Sequence, residues 1–264
     1  AEEGIDDRLP FVDGQIEGIA VLEADALELR HPAVFPADDG VLRRCLIAQD
    51  CLGMIAKLVD GVKPAVFPGF SQKMPEQFLD GDVIVISSKV VSISQGMVKP
   101  FDDLKISRLA RFLSKFVTKP LSGEGLGRVE KMQGAIDEAG ALRILLAAVI
   151  GGIGKMMGIH GWFYQVAGRR AGAIDGADGV RAKTVGPYNR VLIFAPVKGD
   201  EVCEKIKAEL GREVEIAIID ANDYGDVDVW GKTAGLDPEY VENSCADNFL
   251  GQRLEQTPIG IIRP

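Results

Sequence analysis

The sequence is short of several things, and each shortage removes a class of function. It holds only two histidines among its 264 residues, and no Ser/His or Cys/His constellation suited to nucleophilic catalysis can be assembled around them. His160, beside a glycine, reads as a structural hydrogen-bonding residue. The four cysteines, Cys45, Cys51, Cys203 and Cys245, form no Cys-x-x-Cys pair. That spacing fits reduced thiols in a cytoplasmic protein better than a disulfide framework or a zinc site, with a Cys45–Cys51 bridge left open. Basic residues are outnumbered, 30 against 39 acidic, for a net charge of -9, which argues against a nucleic-acid surface. Handling an anionic substrate would then need local Lys and Arg or a bound metal. The longest apolar run, Ile144 to Ile150, is too short to span a bilayer, and the acidic start AEEGIDDR is unlike a signal peptide. The expectation is a soluble, cytoplasmic protein with no membrane partner. A P-loop is missing too. Gly151-Gly-Ile-Gly-Lys155 fails the pattern because Val149 stands where its first glycine belongs and Met156 where Ser or Thr should be.

What remains is ordinary globular composition, 47% apolar and 26% charged, enough for one large or two modest domains. The patterning predicts an α+β fold with mixed β-sheets and packed helices in two lobes. Strands are expected over Val83–Ile86, Ile159–Ala167, Pro187–Ala195, Ile216–Ile219 and Ile259–Ile262. Helical spacing is read over Val41–Val59, Phe101–Val117, Met132–Ala148 with weak points at Gly134 and Gly140, Glu201–Leu210 ahead of Gly211, and from Asp237-Pro238.

Three stretches carry chemical groups to the ends of apolar steps. After Val83–Ile86 come Ser87, Ser88 and Lys89, a cation and two hydroxyls suited to a phosphate or carboxylate, or else a solvated strand end. Ala173-Ile174 delivers Asp175. Ile216–Ile219 delivers Asp220, then Asn222, Asp223, Gly225, Asp226 and Asp228. Carboxylates on a buried strand can hold a divalent cation facing a phosphate; an acidic turn is the alternative. Asp226 and Asp228 are read as solvated turn acids. The glycine-rich Ser122–Arg128 loop can bring bare backbone N–H groups to a ligand.

Taken in order, SSKVVS, AIDG, IIDAND and the closing GQRLEQTPIGIIR resemble the coenzyme F420-0:L-glutamate ligase (γ-glutamyl ligase) family, over roughly residues 80–264 of a single unit whose residues 1–60 match poorly. The resemblance implies a homodimeric enzyme without a P-loop that uses GTP and Mg or Mn to join L-glutamate to a small-molecule carboxylate through an acyl phosphate, as in F420 biosynthesis. Lys89 falls on the first lysine of the family's TSKxVSKAEG segment and becomes a phosphate contact beside Ser87 and Ser88. Asp175 falls on the metal-binding aspartate of GID. Asp220, or Asp223 if the gap is placed differently, falls on that of TDT. Gln252, Glu255 and Pro258 fall on the GQxxEGxP turn, whose glutamine is a third metal-proximal group. On this reading Asp175, Asp220 and Lys89 carry the catalysis.

The departures fall on positions that face substrate. The family's second lysine is Ile93 here and its glutamate Gln95; the Asn and Ser expected beside Asp175 are missing, and Arg169 and Arg170 are added. They motivate the alternative, a re-purposed paralogue that binds nucleotide or cofactor without catalysis.

Overall fold

A computed structural model describes residues 78–117, 125–159, 161–176, 190–251 and 259–264, together with the backbone of four short strands nearer the N-terminus. Those four are β1 (Phe11–Val12), β2 (Gln15–Ile16), β3 (Val34–Pro36) and β4 (Leu42–Leu46). The first two pair antiparallel as a separate two-stranded sheet. The others join β5 (Val83–Ser87), β9 (Glu215–Ala221), β10 (Val227–Lys232) and β11 (Ile259–Arg263) in a six-stranded sheet of order β10-β9-β5-β11-β4-β3. Only β5 and β9 run parallel; the remaining pairs are antiparallel. The sheet is mixed and the fold α+β, as the patterning predicted.

The unbroken apolar runs of β5 and β9 follow from burial on both faces. Ile84, Ile86, Ile216 and Ile218 pack with Val202, Cys203 and Ile206 of the helix Gly199–Leu210, while Val83, Val85, Ala217 and Ile219 pack with Leu236, Val241 and Phe249. Asp82, 1% exposed, ties the start of β5 to the end of β11. Arg263 donates through Nε and Nη2 to its two oxygens, each at 2.7 Å, and Leu79 N donates to Oδ2 at 2.7 Å.

Between β5 and β9 the chain builds a second body of structure. Helix α1 (Ser88–Ser94) follows β5 directly, then β6 (Val98–Pro100), α2 (Arg108–Leu113), α3 (Val129–Ala139), α4 (Ala141–Met156), α5 (Trp162–Ala167), α6 (Arg169–Gly172), β7 (Asp175–Gly176) and β8 (Val191–Ile193). The three strands form an antiparallel sheet centred on β8. Met132, Ala135, Ile144, Ala147, Ala167, Ile174 and Leu192 form its core.

Four sequence expectations are corrected. Val41–Val59 contains strand β4 rather than a continuous helix, since a four-residue apolar spacing fits a period of two as well as one of 3.6, and five residues of β11 pair with it. Phe101–Val117 is broken: Ser107 caps α2, its Oγ accepting from Ala110 N at 3.0 Å, and one-turn 3₁₀ segments flank it. Met132–Ala148 is two helices, α3 and α4, bent by 117° at Gly140, whose φ of 87° few other residues adopt. Ile159–Ala167 contains helix α5 rather than a strand, framed by Gly161 and Gly168 at φ 92° and 97°.

The packing of α5 on α4 explains two of the three glycines that imitate a P-loop, Gly151 and Gly154. A Cβ at Gly151 would lie 2.8 Å from Phe163 Cβ and 3.1 Å from its Cα, and one at Gly154 3.0 Å from the Trp162 ring. These glycines serve helix–helix approach. Gly151→Ala should therefore lower stability by about 1–3 kcal/mol, although alanine alone would favour the helix by about 1 kcal/mol. Urea denaturation checks this, and a more stable variant would refute the packing account.

Candidate functional site

Parallel strands β5 and β9 end side by side, with Ser87 in register with Ile219. Chain direction therefore brings Ser87, Ser88 and Lys89 to the same edge as Asp220, at the carboxyl ends of neighbouring strands where α/β sheets commonly place ligands. Ser87 is the N-cap position of α1 and half-buried, its side chain making no capping bond; Ser88 is buried. Lys89, in the first turn of α1, is half exposed.

Asp175 comes to this edge from the second body. Its Oδ2 lies 2.7 Å from Lys89 Nζ and its Oδ1 3.4 Å from Lys131 Nζ on α3. Gly176 N donates to Oδ1 at 2.8 Å. Glycine is needed there, since a Cβ would meet Val191 O at 2.9 Å where β7 pairs with β8. Burial pushes the Asp175 carboxyl up, but Lys89, Lys131 and the backbone donor together outweigh it and hold the group well below the usual carboxylate range.

Asp220 has the opposite balance. Burial raises its pKa, the charge of Lys89 opposes this, and Asp175 and Asp228 raise it further. Lys89 thus acts on both carboxylates. Asp228 is no turn acid as expected: it lies on β10 directly opposite Asp220, and its Oδ1 is 3.4 Å from Arg169 Nη2. Asp226 does sit in the turn, held by Asn222, whose Nδ2 donates to its Oδ2 at 3.1 Å.

The structure brings Lys89, Asp175 and Asp220 together. Asp223 is turned elsewhere, its Oδ1 accepting from Asn248 Nδ2 at 2.8 Å. Gln252, Glu255, Pro258 and His160 lie outside the described residues. Among the described residues no three His, Cys, Asp or Glu side chains form a group that could hold a metal. Of the glycine-rich loop, Gly125–Gly127 forms a 3₁₀ turn with Leu126 buried.

Lys131 was missed by sequence reasoning. It stands in a run of five buried residues, Lys131 to Ala135, with its side chain 6% exposed. A lysine in the first turn of a helix after a glycine-rich loop is too common to single out. Arg169 and Arg170, which the sequence marks only as additions, have distinct positions. Arg170 pairs with Glu138 and donates to Pro196 O. Arg169 lies 4.1 Å over the Trp230 ring and donates to Val229 O at 2.6 Å. With Asp200, Asp228, Lys232 and Glu242 it lines an open groove of about 480 Å³, which adjoins Asp220 through the Asp228 register.

A comparison with family models matches residues 56–263 to F420-0:gamma-glutamyl ligase. The chain belongs to the F420-0:gamma-glutamyl ligase family. Membership places it among the ligases that join an acid to an amino acid, with small molecules such as F420-0 and glutamate as the substrates of the family. No curated protein matches the sequence. The match to this ligase family contains all three converging residues, Lys89, Asp175 and Asp220. No single helix among the described residues is long and apolar enough to cross a membrane.

Proposed function

We propose that this chain joins L-glutamate to the carboxylate of a small-molecule acid of the F420-0 type, with GTP as the phosphoryl donor and Mg or Mn as the metal. The convergence of Lys89, Asp175 and Asp220 at the ends of β5 and β9 carries the reading. The donor set suits a hard divalent cation: two carboxylates share one edge, and burial with acidic neighbours already disfavours the charge on Asp220. Asp175 and Asp220 would hold the ion, with Gln252 where the family resemblance puts it, and when bound it would neutralise phosphate charge during transfer.

The chain's own groups do the rest. Lys89, half exposed, can contact a phosphate oxygen, and Lys131 keeps Asp175 ionised as Lys89 does so. The acid's carboxylate oxygen takes the γ-phosphoryl group and GDP leaves. The amino nitrogen of glutamate then attacks the acyl carbon; phosphate departs with the C–O bonding pair and the nitrogen gives up a proton. Glutamate brings one ammonium and two carboxylates, and the adjoining groove offers Asp200, Asp228 and Glu242 beside Arg169 and Lys232.

Incubation with F420-0, glutamate, GTP and Mn should yield an amide product heavier by one glutamyl residue, together with GDP, and EDTA should stop both. A second reading, a paralogue that binds nucleotide without turnover, is favoured by Ile93 in place of a family lysine and by the missing Asn and Ser beside Asp175. Saturable GTP binding by calorimetry with neither product formed would decide for that reading and against ours.

A further inference from the structure

The segment that delivers Asp175 to the site is held on two sides by neighbouring arginines. Helix α6 spans only Arg169–Gly172, and Asp175 follows it closely. Arg170 is tied to the second body: it pairs with Glu138 of α3 and donates to Pro196 O at 3.1 Å and Ala195 O at 3.4 Å. Arg169 is tied to the six-stranded sheet instead. Its Nη2 donates to Val229 O at 2.6 Å and lies 3.4 Å from Asp228 Oδ1, and its Cζ sits 4.1 Å from the centre of the Trp230 ring. All three partners belong to β10, which pairs with β9 through Asp228 opposite Asp220 and Val229 opposite Ile219. Arg169 therefore joins the segment that carries one site carboxylate to the strand beside the other.

The β10 side of this contact is itself fixed. The register slips between Val229 and Gly231, which makes Trp230 the extra residue of a bulge, and a bulge re-aims the side chain it carries. A Cβ at Gly231 would collide with the backbone of Gly199, so β10 is pressed there against the start of the helix Gly199–Leu210. The guanidinium meets the ring with its face and Val229 O with its edge, which sets both its plane and its direction. Stability is not what this contact supplies. The side chains of Arg169 and Asp228 are 50% and 61% exposed, and an ion pair so open to water contributes little to folding. Geometry is another matter, because misplacing a reacting group by about 1 Å can cost about a hundredfold in rate.

We propose that Arg169 is a positioning residue: it clasps the Asp175 segment to β10 and so sets the spacing of Asp175 and Asp220. Arg169 is an addition to the family pattern, so the clasp belongs to this chain's departures from it. Its effect on rate rests on the ligase reading above; its effect on the order of the segment does not.

Hydrogen exchange read by mass spectrometry, beside steady-state ligation with F420-0, glutamate, GTP and Mn, tests this on the full chain. In Arg169→Ala, peptides covering residues 169–176 should exchange about tenfold faster, while those of α3 and β9 keep their protection. The kcat should fall about tenfold with the KM values for glutamate and GTP within about twofold, the pattern of lost transition-state geometry. Millimolar guanidinium should restore much of that kcat and millimolar ammonium should not, since only the planar ion can lie on Trp230 and donate to Val229 O together. For the same reason Arg169→Lys should stay close to the alanine variant. The urea midpoint should move by no more than about 0.3 M; a larger shift would make Arg169 a structural residue and overturn the proposal. Unchanged exchange, or faster exchange with unchanged kcat, would overturn it too. So would a rise confined to the KM for glutamate, which would make Arg169 a substrate contact. If the wild-type chain forms no amide, the ligase reading fails, and the exchange result decides the clasp by itself.

Discussion

Asp175→Asn and Asp220→Asn should each lower the rate of glutamate ligation about a hundredfold or more, the several kcal/mol expected when a charge-neutralising group is lost from a phosphoryl-transfer site. Their effects on stability should differ in sign. Asp220 is a carboxylate whose charge is disfavoured by burial and by Asp175 and Asp228, so a neutral amide there should leave stability unchanged or raise it. Asp175 holds Lys89 and Lys131, and its amide variant should lose about 1–3 kcal/mol through the weakened pairing. Asp226→Asn is the control: the side chain is exposed in the turn after β9 and held by Asn222, and the rate should fall less than about tenfold. Steady-state ligation beside urea denaturation of the three variants reads all of this. Full activity in Asp220→Asn would remove it from the site.

Asp82→Ala should be the most destabilising substitution in the sheet. It deletes a 1% exposed carboxylate that accepts two bonds from Arg263 and one from Leu79 N. Breaking a buried pair by removing one partner costs about 3–5 kcal/mol. The lower end applies here, because the Arg263 side chain is 21% exposed and can regain water. For a chain of this size that is a fall in Tm of roughly 5–10 °C. Thermal unfolding followed by circular dichroism tests it; a fall of only a degree or two would mean that the pair does not anchor β11.

The sheet and its acidic edge were legible in the sequence because both are local in cause. Continuous apolar runs such as Ile216–Ile219 mark strands covered on both faces, and Asp237-Pro238 marks a helix start that the structure keeps, Asp237 Oδ1 accepting from Glu239 N at 3.0 Å. What failed depended on partners distant in sequence. Trp162 to Ala167 is helical where its aromatic and β-branched residues suggest a strand, since it lies against Gly151 and Gly154. Asp228 looked like a turn acid until pairing set it opposite Asp220. The family motifs supplied Lys89, Asp175 and Asp220, but Lys131 belongs to no motif, and only the docking of α3 against β7 makes it a partner of Asp175.

The parallel pairing of β5 with β9 has a kinetic consequence. These strands adjoin in space yet are separated along the chain by both helical and sheet structure, so their union closes a very long loop. Contacts of that kind form late, after the entropy of closure has been met by other structure. Lys89 and Asp220 cannot meet before that step, whereas Lys131 and Asp175 can be joined within the inserted segment. The site is thus expected to be among the last features to appear on the folding pathway, and a ligand that binds it would report on completion of the whole sheet.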